Sequence, residues 1–482
     1  MRKALVRLTK GSLIYGIGGI TQRFMVVLLL PLYTQVLTPE DYGVVALVSL
    51  IAIAMNGVFS LGTTNSLSII YFKENNVEKR PAIIWSNILL LIFNGIFWYT
   101  LLYAAAPLLS NTMFQSGHYT YLIRLAILGA IVGIVVDPLL AYLRMEEKAV
   151  LYLFLTVLGA FISISLSIWL VLVHRLGSEG VILANTITQV AMLLINILVV
   201  GRKLNLKFDF SLFSPLARIG FPSIFGLLAF LVIDYADRQM IERMVSIGAL
   251  GIYSLGYSFG LFMTLATGAF ATAWPPFFMS YINKKDEACS IFARVLTYYL
   301  IIFGLLTVLF FVFAKPIVQI MMAEPFHQAH LIVGIVAAAM LLKGCYLIML
   351  PGIYFAEKLQ HQALIEWFAA IMNLALNLLL IPRLGITGAA VATLVSYFCL
   401  PVLTWFISKK YLAVKYEWAR VTKIVLMVSL ASTCIYILSA VTEFTAPITL
   451  LMNSGIFLLF LIMLYQSILT ISEKEKIWLF IK

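Results

Sequence analysis

The sequence predicts an all-α membrane protein of about fourteen transmembrane helices in two repeated halves, and three observations predict it. Of 482 residues, 62% are hydrophobic and only 11% charged, against an apolar share of roughly 45–50% and a charged share of about 25% in a soluble domain. Apolar runs of about 20 residues, enough to cross a bilayer, recur along the whole chain. Two stretches 208 positions apart also share their punctuation: LTPEDYGVVAL (Leu37 to Leu47) and VSIGALGIYSL (Val245 to Leu255) align Gly43 with Gly251 and Leu47 with Leu255. At the same offset Arg175-Leu176-Gly177 and Gly180 fall on Arg383-Leu384-Gly385 and Gly388. A repeat of that size holds several crossings, and the seam between two such units can leave a central cavity at mid-membrane depth, the architecture of a transporter.

The spans follow in order. A basic N-terminus (Arg2, Lys3, Arg7, Lys10) leads into the first, near Gly11, whose apolar run is too long for a signal peptide and is expected to remain as a span. That helix is rich in glycine (Gly11, Gly16, Gly18, Gly19), carries Gln22-Arg23, and is interrupted by Pro31, a predicted hinge. The second span starts near Tyr42, the third near Ala82, the fourth near Tyr119 and the fifth near Ala149. The sixth starts near Glu179 after the Arg-Leu-Gly turn, and the seventh near Leu216. The eighth, from about Ala249, contains Trp274-Pro275-Pro276, and the tenth, from about His330, contains Leu350-Pro351-Gly352; prolines 275, 276 and 351 are predicted hinges. The ninth starts near Ile291, the eleventh near His361, the twelfth near Gly385, the thirteenth near Val421 and the fourteenth near Ala446.

Connections are no longer than about fifteen residues, so no soluble catalytic or nucleotide-binding domain is left over, and the chain is not expected to be an enzyme. It carries no G-x-x-x-x-G-K phosphate loop, so ATP hydrolysis by this chain is not expected. Loops after even-numbered spans hold Lys73, Lys79 and Arg80; Arg144 and Lys148; Arg202, Lys203 and Lys207; Lys284 and Lys285; Lys358; and Lys409, Lys410 and Lys415. Opposite loops hold little besides Arg175, Lys315 and Arg383, a positive-inside bias that predicts two cytoplasmic termini. The net charge of +12 therefore reflects topology and attraction to anionic lipid heads rather than nucleic-acid binding. Cys289, Cys345, Cys399 and Cys434 have no metal-ligand spacing and read as small apolar side chains; neither a metal site nor a cofactor is expected.

An ionised side chain in the hydrocarbon centre costs at least about 2.5–3.5 kcal/mol and normally faces a wet cavity or a partner. Arg23, Arg124, Arg238 and Lys343 fall inside spans, as do, inside or near span ends, Asp137, Asp234, Asp237, Glu242 and Glu366. In FLVIDYADRQMIERM (Phe230 to Met244), Asp234, Arg238 and Glu242 recur at i, i+4 and i+8, so one helical face carries alternating charge and cannot look at lipid. Either Asp234 and Arg238 form a pair that locks packing, or Arg238 lines the cavity and grips an anion while the acids tune it. Arg124 either contacts substrate or snorkels to the outer headgroups. Asp137, before Pro138, either couples an ion or acts as a cap or hinge. Glu366 sits near a helix N-terminus, where a carboxylate is favourable without further function.

Several segments together resemble the polysaccharide-transporter family, the O-antigen-type oligosaccharide flippases of the multidrug/oligosaccharidyl-lipid/polysaccharide (MOP) superfamily. They are PLYTQVLTPEDYGVVAL (Pro31 to Leu47), LRMEEKA (Leu143 to Ala149), the RLGSEG and RLGITG turns, and YADRQMIERMVSIGALGIYSLGY (Tyr235 to Tyr257). The resemblance spans essentially the full length. It implies two six-helix lobes with two further helices after them. The N-lobe then covers residues 1–201 and a cytoplasmic linker 202–215; the C-lobe covers 216–408, and spans 13–14 with a cytoplasmic tail cover 409–482. It also implies translocation of an undecaprenyl-pyrophosphate-linked oligosaccharide from the inner to the outer leaflet of the bacterial cytoplasmic membrane, alongside a polymerase and other export components. Where relatives often place a basic residue near the inner end of the second span, this chain has Asn65-Ser66-Leu67-Ser68.

A pyrophosphate sugar head cannot cross about 30 Å of hydrocarbon unaided, whereas the polyprenyl tail can stay in lipid. In this reading Arg23, Arg124, Arg238 and Lys343 receive the phosphates, the intramembrane acids couple Na+ or H+, and a monomer suffices. A cation-coupled multidrug exporter and a lipid-linked peptidoglycan precursor flippase are the competing readings. A membrane glycan polymerase or ligase fits less well, because the exit loops are short.

Overall fold

A computed structural model of the chain describes residues 31–470 and 473–474, apart from 32, 147, 280, 283, 357 and 442–445; Arg23 lies outside the described residues. The chain divides into two units, Met1–Leu231 and Val232–Lys482. The first contains α1 (Pro39–Phe59), α2 (Thr63–Lys73), α3 (Arg80–Phe114), α4 (Thr120–Met145), α5 (Ala149–Ser167), α6 (Gly177–Val199) and α7 (Phe213–Gly220). Helix α8 (Pro222–Met244) crosses the division. The second unit continues with α9 (Ile247–Gly260), α10 (Met263–Met279), α11 (Lys285–Met321), α12 (His330–Met349) and α13 (Pro351–Phe355). Helices α14 (Leu359–Leu384), α15 (Ile386–Ser408), α16 (Trp418–Val441) and α17 (Ala446–Ser467) complete it.

Among the described residues the regular structure is helical, and ten helices are long and apolar enough to cross a membrane: α3 to α6, α11, α12 with α13, and α14 to α17. The chain is thus an all-α, multi-pass membrane protein. The second expected crossing is two helices, because Leu61 (φ 51°) and Gly62 (φ 64°) turn the backbone left-handed between α1 and α2. The seventh, α8, carries Asp234, Asp237, Arg238, Glu242 and Arg243, and the eighth is divided between α9 and α10 at Leu261-Phe262. Helix α10 runs on through Pro275 and Pro276, while a helix boundary falls at Leu350, next to Pro351.

The repeat has a local physical origin. Thr38 Oγ1 accepts from Asp41 N at 3.2 Å and Asp41 Oδ2 accepts from Thr38 N at 3.1 Å, a reciprocal cap that starts α1. At the equivalent position in the second unit, Ser246 Oγ accepts from Ala249 N at 3.0 Å and starts α9. The second shared motif is a tight turn: Gly177 (φ 55°) and Gly385 (φ 58°) are both left-handed. Three residues on, a Cβ at Gly180 would lie 3.3 Å from the Leu170 carbonyl carbon and one at Gly388 would lie 2.7 Å from that of Leu380. Each glycine lets a helix begin hard against the end of the one before it.

Helix surfaces are arranged for lipid outside and polar contacts inside. On α14, Leu364, Phe368, Ile371 and Leu378 are exposed at helical spacing, while the opposite face buries Glu366, Asn373 and Asn377. Asn377 Nδ2 donates to Asn373 Oδ1 at 2.9 Å. In the first unit α4 packs against α1, α3 and α6; in the second, α12 packs against α9, α11 and α15, and α11 carries α16 and α17. Buried Lys315 on α11 donates to the Ser439 carbonyl at 3.1 Å, fastening α16, and Asn453 on α17 donates to Ser439 Oγ at 3.3 Å.

Candidate functional site

Among the described residues, a cluster of charge in the apolar interior lies on the second-unit part of α8. Asp234, Asp237 and Arg238 occupy adjacent positions of its inward face, and α9, α12 and α15 bring side chains to them. Asp234 Oδ1 accepts from Tyr397 Oη at 2.6 Å and from Tyr257 Oη at 3.1 Å. Its other oxygen lies 3.9 Å from Lys343 Nζ, which also donates to Tyr397 Oη at 3.4 Å. Asp237 accepts from Tyr253 Oη and stands 3.6 Å from Arg238 Nη1. Arg238 turns back to donate to the Asp234 carbonyl, with its guanidinium 4.4 Å from the Tyr235 ring centre and 4.9 Å from that of Tyr257.

Two cations thus balance two carboxylates, but their settings differ. Arg238 is 7% exposed and Asp237 0%, so this pair is sealed; Tyr253 hydrogen-bonds one Asp237 oxygen, the other meets only the charge of Arg238, and ring faces flank the guanidinium. Lys343 keeps 35% of its side-chain surface exposed and Asp234 22%. At 3.9 Å the Lys343–Asp234 pair is longer than a hydrogen bond. Of these two cations Lys343 is the more accessible, and Arg238 is the sealed one.

The remaining predicted residues lie elsewhere. Arg124 stands near the start of α4, 3.9 Å above the Tyr103 ring, and donates from Nε to the Tyr103 carbonyl at 3.4 Å. Glu242 accepts from Gln239 Nε2 at 3.0 Å near the end of α8. Buried Glu366 accepts from Tyr346 Oη at 2.6 Å and Gln362 Nε2 at 3.0 Å. Asp137 lines a small cavity of the first unit with Ser60, Thr63 and Asn87. Sequence reasoning did not identify the tyrosine donors Tyr253, Tyr257 and Tyr397. Tyr253 and Tyr257 are four apart on one helix, a same-face signal available in the sequence; Tyr397 reaches Asp234 only through tertiary packing. No group of histidine, cysteine and acidic side chains suited to a metal occurs among the described residues.

Each unit also holds a larger hollow. One of about 190 Å³ in the first unit is lined by small residues and the neutral polar Ser49, Asn185, Thr186 and Gln189. One of about 590 Å³ in the second is a mainly apolar groove among α11, α12, α15 and α16, with Phe311, Leu342, Phe398 and Tyr436 on its walls.

A profile for a family described as polysaccharide biosynthesis protein matches residues 33–330, more than half of the chain. Among solved structures, an inward-facing multidrug resistance MATE family transporter of the MOP superfamily is 13% identical, with a TM-score of 0.69 over 81% of this chain and 94% of its own. The lipid II flippase MurJ in an inward closed conformation is 16% identical, with a TM-score of 0.69 over 95% of this chain and 99% of its own. A variant of the Vibrio cholerae MATE transporter VcmN is 16% identical, with a TM-score of 0.60 over 84% and 96%. Likeness at these identities shows a shared fold, that of the MOP superfamily. Comparison with curated protein sequences gives no match.

Proposed function

We propose that this chain, which belongs to the polysaccharide biosynthesis protein family, is a flippase that carries undecaprenyl-pyrophosphate-linked oligosaccharide units across the bacterial cytoplasmic membrane by alternating access. The observation that carries the reading is a partly exposed lysine, backed by a buried arginine, inside apolar helices. Lys343 is held by Asp234 at 3.9 Å, and Asp234 already accepts from two tyrosines. A pyrophosphate oxygen can take Lys343 without stranding that carboxylate. The exchange returns a charge-assisted hydrogen bond to the anion. The fold shared with a protein named as a lipid II flippase supports a lipid-linked saccharide as cargo. The apolar groove beside α11 and α16 gives a prenyl tail a surface to lie against while the head moves.

Transport against a gradient needs a coupling ion, and Asp137 and Asp234, neither of them sealed from water, are the groups that supply it with a site for Na+ or H+, while Asp237 stays charge-paired with Arg238. Both termini face the cytoplasm in this reading, with the basic loops on the inner side. A cation-coupled multidrug exporter is the competing reading, because the chain resembles a multidrug resistance transporter in fold as much as it resembles the flippase, although a cluster in which two cations balance two acids lacks the excess of acid that cationic cargo prefers. One experiment separates the two readings: deletion in the native host, followed by sidedness labelling of lipid-linked glycan. Accumulation of repeat units on the cytoplasmic leaflet is the expected result; drug hypersensitivity with normal glycan export would contradict it.

A further inference from the structure

A cavity of about 10 Å³, room for one water-sized body, lies in the first unit among α2, α3 and α4. It is lined by Ser60, Thr63, Asn87, Ile134, Asp137 and Pro138 together with apolar side chains. Asn87 is 1% exposed, and neither its amide oxygen nor its amide nitrogen finds a hydrogen-bond partner among the described residues. An amide sealed in this way carries the full penalty of leaving water unless something inside the cavity meets it.

The backbone is opened at the same place from two sides. Pro138 lacks an N–H, so the Ile134 carbonyl has no partner four residues on. Across the cavity the left-handed residues Leu61 and Gly62 interrupt the helical run between Phe59 and Thr63. The Phe59 carbonyl freed there is taken by Asn94 Nδ2 at 2.7 Å, and that of Ser60 by Thr63 N at 2.8 Å. A broken helical run facing a proline-loosened helix, beside a half-buried carboxylate, is a common way to offer oxygen ligands at membrane depth. The nearest basic residue on α4, Arg144, lies two turns away with its guanidinium 5.6 Å from the Tyr152 ring centre.

We propose that this cavity is a Na+ site, in which the Asp137 carboxylate supplies the charge and Asn87 Oδ1, the Ser60 and Thr63 hydroxyls and the Ile134 carbonyl supply neutral oxygens. The donor set contains oxygen alone and a single negative charge. One carboxylate neutralises a monovalent ion, whereas a divalent ion would remain net positive in an apolar surrounding. The amide nitrogen of Asn87, which cannot ligate a cation, then turns to a carbonyl or hydroxyl of the wall. The inference deepens the transport reading, for which this is where the coupling ion sits, but the site is testable without glycan.

The test is equilibrium binding of radioactive Na+ to the full chain in lipid nanodiscs, in a choline background. Wild type is expected to bind saturably, Asp137→Asn to lose one Na+ per chain, and Asn87→Leu to weaken that component about tenfold or more. Asn87→Asp, which keeps the oxygen and adds a second charge, is expected to let Ca2+ compete where it does not in wild type, so a gain guards against loss through misfolding. Wild-type binding in both Asp137→Asn and Asn87→Leu overturns the proposal, as does a wild-type chain that takes up no Na+. Because no glycan is present, failure here leaves flipping untouched, and failure of flipping leaves the binding result standing.

Discussion

Replacing Arg238 with Met removes the positive partner of a carboxylate that has no access to water. Asp237 is 0% exposed, and Arg238 Nη1 stands 3.6 Å from its oxygen. Two unit charges at that distance attract by about 5 kcal/mol at an effective dielectric of about 20. Deleting one partner of a buried pair costs about 3–5 kcal/mol, because the other charge is stranded. Tyr253 still donates to Asp237 in the variant, so a loss near the lower end, about 3 kcal/mol, is expected. Adding Asp237→Asn removes the stranded charge and should recover most of it, giving a large coupling energy in a double-mutant cycle. The assay is steric trapping or an SDS-unfolding titration of the four proteins. A single variant as stable as wild type, or a double variant no more stable than the single, would refute the sealed-pair argument.

Other predictions follow from single features. A Cβ at Gly388 would overlap the backbone of Leu380, so Gly388→Ala should destabilise by about 1–3 kcal/mol in the same titration, whereas Gly455→Ala, with nothing within 4 Å, should not. Glu473, after the last helix, has its carboxyl held at about 2: burial opposes ionisation, but Tyr298, Thr470 and the Arg420 guanidinium outweigh it. A depressed pKa means this contact stabilises fully above about pH 4.5 and fades as pH falls toward 2. The stability difference between wild type and Glu473→Gln should therefore be flat at neutral pH and vanish in acid, and a difference that grew on acidification would contradict the assignment.

What could be read from the sequence was what local chemistry fixes. The cap residues Thr38 and Ser246 and the turn glycines Gly177 and Gly385 act within a few positions of themselves, so the repeat is visible as punctuation. Charge inside apolar runs marked α8 for the same reason, since Asp234 and Arg238 must share a face. Their partners were another matter. Arg238 reaches back to the Asp234 carbonyl and pairs with neighbouring Asp237, while the Asp234 carboxylate goes to Tyr257, Tyr397 and Lys343 on three other helices. Only packing decides that. Proline was an uneven guide to where helices break: a boundary does fall beside Pro351, but α10 continues through Pro275 and Pro276, and the second crossing is interrupted at Leu61-Gly62. Neighbouring carbonyls can be rehoused around a proline, whereas two successive left-handed residues cannot belong to a helix.

The most direct measurement of the central claim is flipping of undecaprenyl-pyrophosphate-linked oligosaccharide in proteoliposomes, comparing wild type with Lys343→Met and Lys343→Arg. Lys343→Met is expected to lower the rate about tenfold or more, the equivalent of one lost charge-assisted hydrogen bond of about 1.5–3 kcal/mol, and Lys343→Arg to keep a substantial part of it. Wild-type flipping by Lys343→Met would contradict that claim.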